Sequence, residues 1–94
     1  MNLQKALEKV KEQGRLVKGK YVDSDGYRCI IGHMLTEEQL QKIIKINRND
    51  SKINVISYLL DFKITALMVT AQRINDHAES IEDLEIVLRE ELCI

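Results

Sequence analysis

The chain has no proline and no tryptophan, only four glycines and two cysteines, and aromatic rings at 4% of its 94 positions. Without prolines, internal repeats or low-complexity tracts, nothing marks a linker, and residues 1–94 read as a single domain. Two cysteines cannot build a disulfide-rich scaffold, so a reducing, cytoplasmic compartment is expected. Paired zinc-ligand spacings such as Cys-x-x-Cys are missing. So are a P-loop and a G-x-G-x-x-G turn. No apolar run reaches the roughly 20 residues of a membrane span, and Met1 to Lys5 does not open like a signal peptide. Charge of one sign is also missing, since 14 basic side chains face 15 acidic ones for a net charge of −1. That balance argues against a uniformly basic nucleic-acid binder and a uniformly acidic DNA mimic.

What is present is a folding composition, with 45% hydrophobic and 31% charged residues. A domain of this size buries roughly 60–65% of its unfolded surface, which allows one modest core and one shallow pocket. Charge runs along a gradient, with a balance of +3 over residues 1–28, +2 over 29–75 and −6 over 76–94. Ordinary solvated faces explain such a gradient. So does an acidic C-terminal helix docked on a basic N-terminal surface, within one chain or between copies of a homo-oligomer.

Periodicity predicts a mainly α fold, four to five helices around one core. Leu3, Ala6, Leu7 and Val10 form the stripe of a first helix that stops at Gly14. Thr36-Glu37-Glu38-Gln39 is a capping box, followed by Leu40, Ile43 and Ile44. Ile53, Val55, Ile56, Leu59, Leu60 and Phe62 are apolar nearly all round, as in a central buried helix. A break near Asp61–Lys63 precedes the stripe Ile64, Leu67, Met68, Ala71, Ile74 and Ala78. Ser80 opens a last helix carrying Ile81, Leu84, Val87, Leu88 and Leu92.

Between the first and second helices the period changes. Arg15 to Asp23 mixes β-formers with cations, Asp25-Gly26 follows, and Tyr27 to Ile30 resumes the pattern. Asp-Gly between such runs predicts a β-hairpin inserted after the first helix, with Val22 facing Cys29 and Tyr21 facing Ile30. Gly19 then marks a bulge.

Three groups of residues bear on chemistry, in four readings. Cys29 and His33, with Asp76, His77 and Cys93, could gather a metal or form a Cys/His nucleophile pair. Neither arrangement has the spacing of an established site. Lys18, Lys20, Arg28 and Arg15, interleaved with Tyr21 and Tyr27, suit either a solvated edge whose lysines prevent aggregation or an anionic ligand or nucleotide. Asn75-Asp76-His77 caps the best apolar stripe and, on a functional reading, lines a cleft with the hairpin.

The segment from Arg15 to Leu35, through Lys18-Gly19, Asp23-x-Asp25-Gly26 and Cys29-x-x-Gly32, resembles a family of small uncharacterised phage and bacterial proteins. Asn75-Asp76 and the helix of residues 81–92 match that family's ending. Leu16 and Ile74 stand where the family has tryptophan, and His33 where it has alanine. The resemblance implies a phage or mobile-element origin. Proteins of that origin often bind a host defence protein or sequester a nucleotide signal. Gly19, Gly26, Cys29, Gly32, Asn75 and Asp76 then read as a structural corner that displays Lys18, Lys20, Tyr21, Arg28 and His33.

The expectation is a non-enzymatic interaction protein without a cofactor, binding a host protein or a small anionic signal. The alternative is a small Cys/His-dependent enzyme or metal-binding protein. Nucleic acid and membrane are not expected partners.

Overall fold

Each α-helix among the described residues begins where a side chain answers an orphan backbone donor, with one exception. In the computed structural model, which describes residues 2–94, Asn2 accepts the Lys5 N–H at 2.9 Å and opens α1, Leu3–Gln13. Gly14 closes α1 in the left-handed region at φ 71°. The Thr36–Gln39 capping box forms in both directions and opens α2, Glu37–Lys45. Thr65 caps α4, Ala66–His77, and Ser80 caps α5, Ile81–Leu92. The exception is α3, Ile53–Leu60, whose N-cap residue Lys52 makes no capping bond. Asp61 ends α3 at φ 54°, so residues 53–77 form two helices.

The chain is mainly helical, and its buried side chains form one cluster from Leu3 to Leu88. Helix α5 packs on α4 and α1, and α2 packs on α3. The acidic C-terminal helix thus docks within its own chain, with Lys11 Nζ 3.0 Å from Glu85 and Arg73 3.0 Å from Glu91. Among the described residues, no helix is long and apolar enough to cross a membrane.

Two sequence expectations are corrected. First, the inserted hairpin does not form. Among the described residues there is no strand, only an isolated antiparallel bridge between Val22 and Arg28. The pairing is shifted by one residue from the expected Val22–Cys29. The cause lies in Asp23, whose Oδ1 accepts the N–H groups of Asp25 and Tyr27, each at 2.9 Å. That carboxylate draws residues 23–27 into a wider loop, closed by the Asp23 N–H on the Tyr27 carbonyl at 2.8 Å. Second, α3 is not central. Ile53 and Ile56 are buried, but Tyr58 is 86% and Val55 40% exposed.

Asparagine side chains do the work a neighbouring strand would have done. Asn49 Oδ1 accepts the N–H groups of Tyr21 and Val22 at 3.0 and 3.2 Å, and its Nδ2 donates to the Val22 carbonyl at 2.7 Å. Asn75, fully buried on α4, accepts the Ile30 N–H at 3.1 Å and donates to the Val17 carbonyl at 2.8 Å. These amides satisfy buried backbone groups that a sheet ladder would otherwise hold. Gly32 completes the corner. A Cβ there would collide with the Tyr21 carbonyl oxygen, which already accepts the Cys29 N–H at 3.1 Å.

Candidate binding cleft

A cleft of about 540 Å³ lies where the segment of residues 19–21 meets the turn before α3 and one face of α4. This volume falls in the range of small-ligand sites. Helical spacing places Val69, Gln72, Arg73, Asp76 and His77 on one face of α4, at i, i+3, i+4, i+7 and i+8. The opposite stripe, Met68, Ala71, Ile74 and Asn75, is buried.

The inner wall is rigid for identifiable reasons. The Tyr21 ring is buried, and its hydroxyl donates to the Ser51 carbonyl at 2.7 Å. Burial raises the Tyr21 phenol well above its ordinary value, with Cys29 and Asp76 adding to the rise. Asn49 ties the Tyr21 backbone to the same turn. Asp76 Oδ1 accepts the Gly19 N–H at 3.2 Å, fixing the segment to α4.

Charges of both signs line the cleft. Lys20, Lys52 and Arg73 face Asp50 and Asp76, and His77 stands beside them. The His77 Nδ1 lies 2.8 Å from the Arg73 carbonyl. A carbonyl oxygen only accepts, so Nδ1 carries the proton and Nε2 keeps its lone pair in the neutral ring.

The structure divides the residues singled out from the sequence. Lys20, Tyr21, Gly19 and Asp76 meet at the cleft, Tyr21 as buried wall rather than displayed ring. Lys18 donates to the Ala78 carbonyl at 2.7 Å. Arg28 is paired with Glu37. His33 Nε2 lies 2.8 Å from Gln13 Oε1, and Gln13 Nε2 donates to the Arg15 and Arg28 carbonyls at 2.6 and 2.7 Å. Those two donations orient the amide, so the ring donates to Oε1. Desolvation, then Arg28 and Lys9, lower the His33 pKa to about 4. Arg15 lies over the Tyr27 ring at 5.1 Å and contacts Asp25 at 3.1 Å, bracing the 23–27 loop. Gly26 sits in that loop at φ 88°. Of the basic residues of this segment, Lys20 lines the cleft and Arg15, Lys18 and Arg28 do not.

The reactive pairing of Cys29 is not assembled. Its thiol is buried, bonds Gln72 Oε1 at 3.6 Å and accepts the Gly32 N–H at 3.3 Å. Burial pushes the thiol up to about 12. His33 is committed to Gln13 instead. Among the described residues, no three His, Cys, Asp or Glu side chains are grouped to hold a metal ion. Cys93 is exposed at the end of α5.

Sequence reasoning missed Asn49, Lys52, Gln72 and Arg73. The usable signal was the polar stripe Gln72-Arg73-Asp76-His77, set opposite the apolar stripe of the same helix. Comparison with family models, with curated proteins and with solved structures finds no match to the chain.

Proposed function

We propose that the protein is a non-enzymatic binding module that takes up a small anionic ligand of the nucleotide class. In this reading it is of phage or mobile-element origin, acts in the host cytoplasm and withdraws the ligand from a host response. One observation carries the reading. Lys20, Lys52 and Arg73, the last of them paired with Glu91, line a single small cleft from three separate parts of the chain, against a wall fixed by Tyr21, Asn49 and Asp76. Converging cations on a rigid wall suit charge-assisted hydrogen bonds to phosphate oxygens. The displacement of the thiol from any base, and its raised pKa, favour binding over nucleophilic catalysis.

Calorimetric titration with inorganic pyrophosphate and with a mononucleotide tests this reading. Binding that weakens with added salt and falls at least tenfold in Lys20→Gln/Arg73→Gln is the expected result. Lys18→Glu/Arg28→Glu serves as the control, since neither side chain lines the cleft. Absence of binding by the wild type to both probes would refute it.

A further inference from the structure

We propose that the cleft reads a ribose as well as a phosphate, with Asp76 and His77 accepting the two vicinal hydroxyls of a ribonucleotide whose phosphate meets Lys20. The inference rests on the anion-binding reading of the cleft and narrows its ligand to ribonucleotides. Asp76 and His77 are consecutive at the C-terminal end of α4, and both line the cleft. Each has one atom committed and one left over. Asp76 Oδ1 accepts the Gly19 N–H at 3.2 Å, and among the described residues its Oδ2 has no hydrogen-bond partner. His77 Nδ1 donates to the Arg73 carbonyl at 2.8 Å, which leaves Nε2 of the neutral ring as an acceptor only.

Two neighbouring acceptors call for a pair of donors. An ionised phosphate brings only lone pairs, so this end of the cleft repels it. The helix adds to the repulsion, because the last carbonyls of α4 form the negative end of its dipole. A ribose diol brings two O–H donors on adjacent carbons. The cation for its phosphate stands close by, since Lys20 follows the Gly19 that is bonded to Asp76. Among the described residues, Lys20 takes part in no ion pair, whereas Arg73 is engaged by Glu91 at 3.0 Å. A 5′-phosphate on a ribose thus carries acceptors for the lysine and donors for Asp76 and His77 within one sugar's length. An exocyclic base amine has the same donor chemistry, and the probes separate the two sources.

Calorimetric titration at pH 8 tests the inference with adenosine 5′-monophosphate, its 2′-deoxy analogue, inosine 5′-monophosphate and inorganic pyrophosphate. The ribonucleotide should bind at least tenfold more tightly than the deoxynucleotide, because a site built to bond a hydroxyl is left unpaired without it. Inosine monophosphate lacks the exocyclic amine but keeps the diol, and should bind within threefold of the adenosine form. Asp76→Asn keeps an oxygen for Gly19 and turns the free one into a donor. His77→Phe keeps a ring and removes the acceptor. Each variant should bring the ribose preference below threefold while binding pyrophosphate no more weakly than the wild type. Equal binding of ribo- and deoxynucleotide, a preference that survives in either variant, or a tenfold loss with inosine monophosphate would each overturn the inference and leave the anion reading standing. Absence of binding by all four probes would overturn both.

Discussion

Replacing Asn75 by alanine tests whether side-chain amides hold residues 15–31 in place. Asn75 is fully buried and makes two hydrogen bonds, to the Ile30 N–H and the Val17 carbonyl. Removing the amide leaves both backbone groups buried without these partners, at about 1–3 kcal/mol each. The sum is about 2–6 kcal/mol before any cavity is counted. Stability for a chain of this length is about 5–14 kcal/mol. A midrange loss of about 4 kcal/mol would lower the melting temperature by roughly 16–32 °C. Urea unfolding followed by circular dichroism measures the loss as a drop in midpoint at unchanged slope. Asn75→Asp adds a sign. A carboxylate can accept from Ile30 but repels the Val17 oxygen, whereas the protonated acid can donate to it. The folded-state pKa of that aspartate would rise above its unfolded value. The variant should then lose stability relative to wild type as pH climbs from about 4, its ordinary unfolded pKa. An Asn75→Ala variant that loses less than about 1 kcal/mol, the net worth of a single ordinary hydrogen bond, would refute the reasoning.

Two further outcomes follow from the titratable groups. Under native conditions at pH 8, a disulfide exchange reagent should titrate one thiol, Cys93, quickly and Cys29 only after denaturation, because Cys29 is buried with its pKa near 12. Fast native reaction of both would contradict that burial. His33 is held neutral, with a folded pKa near 4 against an unfolded value of about 6.5. Its contribution is fully present above the unfolded pKa and is lost as pH falls from there through the folded value. His33→Gln should flatten the fall of the urea midpoint across that window, and an unchanged slope would show that other groups set it.

The helices were legible because local chemistry decides them. Gly14, Thr36-Gln39, Thr65 and Ser80 all act within a few residues of their own positions. The hairpin expectation failed for a local reason of its own. Asp25-Gly26 favours a tight turn, but Asp23 competes for the same backbone donors and wins by satisfying two at once. The apolar pattern of α3 was read as burial, yet a helix without charge carries no mark of which face meets solvent. The cleft was half legible. Lys20 and Asp76 belonged to the readable motifs, whereas Asn49 and Lys52 belonged to none. Asn49 acts on partners 27 and 28 residues away, across a fold that periodicity does not specify.

The two asparagine clamps also set an order of assembly. Asn75 reaches back 45 and 58 residues to grip Ile30 and Val17, and Asn49 reaches back 27 and 28. Loops of that span close only after their distant anchors exist, at an entropic cost that nearby contacts do not share. The segment following α1 gains its Asn75 hydrogen bonds only once α4 is in place. Loss of α4 would therefore be felt at Val17 and Ile30, near the chain's front.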